Sequence, residues 1–150
     1  MKKEDKTNSI EDIFGPVIHA YTRAEAIDDG VLVDVSELAK EAGIRLPTAI
    51  TSAVHARYVE VPEELKGHQD EVGRLWDILW MFSCAVRSGK LHGAQGTFEV
   101  IVANLETAAL EANEKPFEQS ITRRLVTLKA VCGPADDGSP CITIMQPSEE

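Results

Sequence analysis

The sequence predicts an α+β domain: a helical N-terminal half with one long amphipathic helix packed on a small antiparallel sheet of about three strands. Two changes of period carry this. Over residues 69–87, Val72, Leu75, Trp76, Leu79, Phe82 and Val86 recur at three- and four-residue steps, while Asp70, Glu71, Arg74, Asp77 and Arg87 lie largely off that stripe, as on a helix with one apolar face. In the last third the period falls to two: Phe98, Val100 and Val102 alternate with Thr97, Glu99, Ile101 and Ala103, and β-rich runs follow at 124–132 and 141–145. Helices first and strands after is the order of an α+β domain whose long helix covers one face of the sheet.

Along the chain, residues 1–12 read as a polar N-terminal tail and 13–146 as a single globular domain, with a polar end beyond it. Thr22 is placed to cap a short helix through Ile27, and Gly30 to end it. The β-branched run 31–35 is a brief strand or an extended connection. Ser36 then caps a helix ending at Gly43, and a further helix is expected from Pro47 to about Tyr58, stopped by Pro62. Trp80 and Ile78 widen the apolar face of the long helix, so it packs on more than one side. Between the second and third strands, residues 133–140 are rich in turn formers and short enough for an antiparallel hairpin. Between the first and second, residues 105–111 allow one or two helical turns.

Composition narrows the function classes. The chain has 150 residues, 43% of them hydrophobic, which is enough to bury one core. Its longest apolar-rich stretch, 75–86, is interrupted by Asp77 and followed by Arg87, so no membrane span is expected, and residues 1–12 lack the apolar block of a secretion signal. Cys84, Cys132 and Cys141 form no CxxC pair, which suits reduced thiols and a cytoplasmic location. His19, His55, His68 and His92 are too dispersed for a structural zinc site, so no metal and no cofactor are expected. With 15 basic against 25 acidic residues the net charge is −10, a field that repels phosphate backbones and attracts basic partners; nucleic acid is an unfavourable partner and protein a favourable one.

Three local patterns invite a functional reading. Residues 36–57 resemble a helix-turn-helix, with Ala39 and Gly43 at the expected spacing, but Pro47 stands where the second helix would begin and only His55 and Arg57 could reach base edges. His19, Tyr21, Thr22, Arg23, Asp28 and Asp29 gather a possible base, an anion-holding arginine and carboxylates at the ends of a short helix, although residues so close in sequence cannot all converge on one atom. Trp76 and Trp80 lie on one helical face; core packing uses such a pair, and Trp80 is also suited to anchor a partner or a second copy of the chain as a homodimer. Cys132 and Cys141 flank the hairpin loop and would face each other in a suitable register. The candidate functional surface is therefore His19, Tyr21, Arg23, Asp28, Asp29 and Trp80.

The segments Ile13-Phe14-Gly15, Tyr21-Thr22-Arg23-Ala24, 26–35, Gly73-Arg74-Leu75-Trp76-Asp77 with Trp80-Met81, and 125–134 with 142–145 resemble a family of short, uncharacterised bacterial proteins encoded on plasmids, phages and other mobile elements. The resemblance covers most of the chain and names no reaction. Together with the acidity, it implies a non-enzymatic protein-binding or accessory protein of a mobile element, acting on a host factor with a basic surface in the manner of a nucleic-acid mimic. The alternatives are a small enzyme using Tyr21, Arg23 and Asp28, and a DNA-binding regulator using 36–57.

Overall fold

The computed structural model describes residues 21–105, 108–118 and 120–150. The polar tail, His19 and the first part of the expected globular domain lie outside the described residues. The described chain runs α1 (Arg23–Asp28), β1 (Leu32–Asp34), α2 (Ser36–Glu41), β2 (Thr48–Thr51), α3 (Ser52–Val54) continuing into a π-helical turn (His55–Val59), a 3₁₀ turn (Glu63–Leu65), α4 (Glu71–Arg87), β3 (Gln95–Ala103), β4 (Glu114–Phe117), β5 (Ser120–Pro134) and β6 (Pro140–Met145).

The expected sheet of three antiparallel strands beside one long helix is corrected. The sheet has six strands in the order β1-β2-β6-β5-β3, with β4 pairing β5 off this path, and it is mixed because β2 and β6 run parallel. Apart from α4, the helices among the described residues are of six residues or fewer. The largest error concerns residues 47–51. Thr48, Ala49, Ile50 and Thr51 are all buried, with β1 on one side and β6 on the other. A strand covered on both faces shows no alternation, so its period was invisible. Its β-branched content was the available sign. Pro47 ends the connection into it, where no backbone N–H is needed, and its carbonyl accepts from the Ile142 amide at 2.8 Å. The helix expected from Pro47 therefore starts only at Ser52, capped by the Thr51 hydroxyl. A buried strand thus stands where a recognition helix would begin.

Local chemistry sets the other elements. Thr22 accepts from the Glu25 amide at 3.1 Å, and Gly30 takes φ +79° after α1. Ahead of α2 the capping group is the Asp34 carboxylate, which accepts from the Ser36 amide at 3.0 Å, while the Ser36 hydroxyl accepts from the Thr48 amide of β2. Asp70 caps α4 by accepting from the Gly73 amide. The β5–β6 link is a hairpin whose turn is fixed by Asp137 accepting from Ser139 and by Gly138 at φ +87°. Its register pairs Cys132 with Ile142 and Gly133 with Cys141. The one-residue offset puts the two thiols on opposite faces, Cys132 exposed and Cys141 buried. The described part of 104–113 carries no helix.

One core fills the space between the sheet and α2, α3 and α4. It joins Ala39, Ile50, Val54 and Tyr58 to Ile78, Leu79 and Phe82 of α4, and to Phe98, Val100, Val126, Leu128 and Ile144 of the sheet. At roughly 1.5–3 kcal/mol for each large side chain removed from water, this packing dominates the stability. Phe82 meets Phe98 edge-on, with centroids 5.5 Å apart, which seats α4 over β3 at the border of the sheet. The opposite face is covered near β2 and β6 by α1 and by the chain end, where Glu149 accepts from the Thr51 hydroxyl and the Gln146 amide. That end lies beyond the expected domain, 13–146, and its sequence reads only as polar. Near β3 and β5 no element among the described residues covers the same face, and Ile101 is 41% exposed.

Candidate functional site

The cluster of reactive residue types at α1 is taken apart by its own hydrogen bonds. Arg23 points inward: its guanidinium donates to Thr143 Oγ1 and to the Ile142 carbonyl, each at 2.7 Å, and so ties α1 to β6. The exposed amides of Arg23 and Ala24 donate to the Asp136 carboxylate from the β5–β6 turn, which satisfies the start of the helix and favours it electrostatically. Tyr21 donates its hydroxyl to Asp29 at 2.6 Å; that bond, with the neighbouring negative charge of Asp29 and Glu25, pushes its pKa up to about 12. Asp28 is exposed at the last residue of α1. Tyr21 and Asp29 are thus brought together, Arg23 is engaged elsewhere, and His19 lies outside the described residues.

A second cluster went unseen in the sequence. Glu114 of β4 is fully buried at its side chain. Its Oε2 accepts from Arg57 Nε at 3.0 Å and from the Tyr58 hydroxyl at 2.6 Å, and its Oε1 from Arg57 Nη2 and Arg124 Nη1, both at 3.3 Å. Burial opposes its charge, but the bonds from Arg57 and Tyr58 and the charge of Arg57 outweigh it and hold the carboxyl below its ordinary pKa. Burial, then the bond to Glu114, drive the Tyr58 phenol well above its usual value. Arg124 also donates to the carbonyls of Leu105, Ala108 and Ala109, so one guanidinium holds a segment that has no ladder of its own. With four donors on its two oxygens the carboxylate has no free lone pair for a reacting molecule, and its chemistry is that of a clasp. Arg57, Tyr58 and Arg124 lie 57, 56 and 10 residues from Glu114, without a spacing that sequence could flag.

The third feature is α4 itself. Trp76 and Trp80 stack with centroids 5.8 Å apart and planes 11° from parallel, and the Arg87 guanidinium lies over the Trp80 ring at 5.4 Å. Trp80 remains 39% exposed and Met81 40%. They line a groove of about 1600 Å³ that runs along α4 from Leu38 and Glu41 of α2 to the border strand β3. Its carboxylates are Glu41, Asp70, Asp77 and Glu99, and burial raises the pKa of Asp77. Beyond Trp80, the sequence did not disclose this groove, because it depends on α4 lying over a sheet border. Among the described residues no three His, Cys, Asp or Glu side chains gather as a metal site requires, and no helix is long and apolar enough to cross a membrane.

No curated protein and no solved structure matches the chain. A family model does match, over residues 11–150, and the chain accordingly belongs to that family, a family of unknown function (DUF6573).

Proposed function

We propose that the chain is a non-enzymatic binding protein that takes a partner with a basic surface on the apolar, acid-flanked part of α4. The observation that carries this reading is the exposure of Trp80, stacked on Trp76, in a groove that also holds Glu41, Asp70 and Asp77. Exposed tryptophans ringed by charge are the usual anchors of protein interfaces, and the net charge of −10 steers basic partners toward them. Further support comes from what the other clusters lack: Arg23 and Glu114 are saturated by structural partners. The resemblance of 26–35 and 125–134 to mobile-element proteins supports the finer reading, an accessory protein of such an element acting on a bacterial host factor. The free cysteines support the cytoplasm as its place of action.

The test is capture of partners from a bacterial extract on the immobilised chain at low and raised salt. We expect a basic protein that is retained at low salt, released as salt rises, and lost with Trp80→Ala. Retention that ignores both salt and the substitution would refute the reading.

A further inference from the structure

Unpaired among the described residues, the outer border of β3 has the geometry to pair with itself. In the β3–β5 ladder, the Cys132 amide donates to the Ala94 carbonyl at 2.7 Å and the Asn104 amide to the Thr122 carbonyl at 2.7 Å, so the even-numbered residues direct their backbone groups at β5. Phe98, Val100 and Val102 therefore face the core with their side chains and β5 with their backbones. The odd-numbered residues do the reverse. Gln95, Thr97, Glu99 and Ile101 point their N–H and C=O groups away from the sheet and expose their side chains. At the end of the strand the outward carbonyl of Ala103 is taken by Arg74 Nη2 at 2.7 Å. Among the described residues no strand pairs with this side of β3.

The other sheet borders are guarded. β1 is three residues long, and β4 is four residues long and carries Lys115 and Pro116. By contrast β3 has nine residues, no proline and no lysine. Such a border is a template for another strand.

We propose that the occupant is β3 of a second copy, paired antiparallel about a two-fold axis at Phe98. That register sets Thr97 opposite the second copy's Glu99, and Gln95 opposite its Ile101. It uses the four residues with outward groups on both copies, giving roughly eight hydrogen bonds. It avoids the Ala103 carbonyl already held by Arg74. Pairing one residue pair further along would set Glu99 against its own copy, with two like charges side by side.

The flank fits as well. Phe82 packs on Phe98, so the turn of α4 with Met81 and Cys84 stands beside the axis. A strip roughly 30 Å long, spanning the sheet border and one helix flank roughly 20 Å across, covers on the order of 600 Å² per copy. That meets the lower bound for a stable specific interface, about 1,200 Å² in total. The groove lining beside this border carries Lys90 and Arg123 as well as Asp77 and Glu99, so both signs of charge are present. Trp80 stands about 100° around the helix from Met81, clear of the seam.

Sedimentation of the full chain over a concentration series tests this pairing. We expect a monomer–dimer equilibrium that strengthens as salt screens the net charge, opposite to the salt response of a basic partner. Thr97→Pro with Glu99→Pro removes only outward N–H groups and leaves the β3–β5 ladder whole. It should weaken the dimer at least about 100-fold while the circular dichroism spectrum stays that of the parent. Independent of any variant, the amides of Thr97, Glu99 and Ile101 should exchange slowly in concentrated solution and rapidly after dilution. A chain that stays monomeric at every concentration, or a dimer that the proline pair leaves intact, overturns the proposal. With Cys84→Ser and Cys132→Ser in place, oxidised Gln95→Cys/Ile101→Cys, which keeps Glu99, should link position 95 to position 101 of the second copy. A dimer that does not form this link overturns the register. Because Trp80→Ala should spare the dimer, failure here is separable from failure of partner capture.

Discussion

Replacing Glu114 by glutamine changes one buried atom type and little volume, so its cost isolates the charge of the clasp. The carboxylate stands between Arg57 and Arg124 with its side chain wholly buried, and it accepts the Tyr58 hydroxyl as well. Breaking one partner out of a buried ion pair costs about 3–5 kcal/mol. Here the lower end applies, because Arg124 keeps the carbonyls of Leu105, Ala108 and Ala109, and Arg57 is partly exposed and stays 3.9 Å from Glu111. We expect a loss of about 3 kcal/mol at neutral pH, or a midpoint lower by roughly 10 °C. The folded state holds this carboxyl below its ordinary pKa. Its contribution is therefore complete above the unfolded value and is lost as pH falls through the folded one. Urea unfolding followed by far-ultraviolet circular dichroism should show a wide gap between parent and variant at pH 7 that narrows toward pH 3. A gap under about 1 kcal/mol at pH 7, or one equal at both pH values, refutes the clasp.

Other perturbations read other parts of the fold. Gly43 lies at φ +91° and a Cβ there would meet the Arg87 guanidinium, so Gly43→Ala should destabilise by about 1–2 kcal/mol in thermal unfolding; an unchanged midpoint would show the position to be relaxed. Asp136→Ala leaves the Arg23 and Ala24 amides without their acceptor, and should cost about 1 kcal/mol and speed amide exchange in α1 before β6; uniform change across both elements would contradict the local role. Tyr21 is held up to about 12 by its bond to Asp29, and Tyr58 is raised by burial. Raised phenols favour the protonated fold, so their contribution is intact below pH 10 and fades as pH climbs through the folded values. A spectrophotometric titration should show little phenolate at pH 10, and a half-titrated signal there would contradict both environments.

What the sequence disclosed follows from where each element lies. The helix over 69–87 and the strand over 95–103 were legible from their periods, but in the helix Val72 and Val86 of the expected stripe are exposed and Arg74, placed off it, is buried. The cap at Thr22 and the turn at Gly138 were legible because their chemistry is local. Strand β2 was not, since Thr48 and Ile50 face the helices while Ala49 and Thr51 are covered from the other side. β4 escaped because Lys115 and Pro116 hide a four-residue strand whose anchoring residue, Glu114, finds its partners far along the chain. Of the candidate site, Trp80 was a candidate in the sequence, whereas the bond from the Tyr21 hydroxyl to Asp29 was not named there. The inward turn of Arg23 required the position of β6, and the outward groups of β3 required its register.

The central claim, that a basic protein docks on the tryptophan column of α4, is tested most directly by site-specific photo-crosslinking. A photoreactive residue placed at exposed Val72, one turn before Trp76 and lining the same groove with Trp80 kept, is compared with one placed at Lys115, on the far side of β5 from β3, in the same bacterial extract. We expect a basic protein joined through position 72 and not through 115. Crosslinks through 115 alone, or none through 72 at low salt, would contradict it.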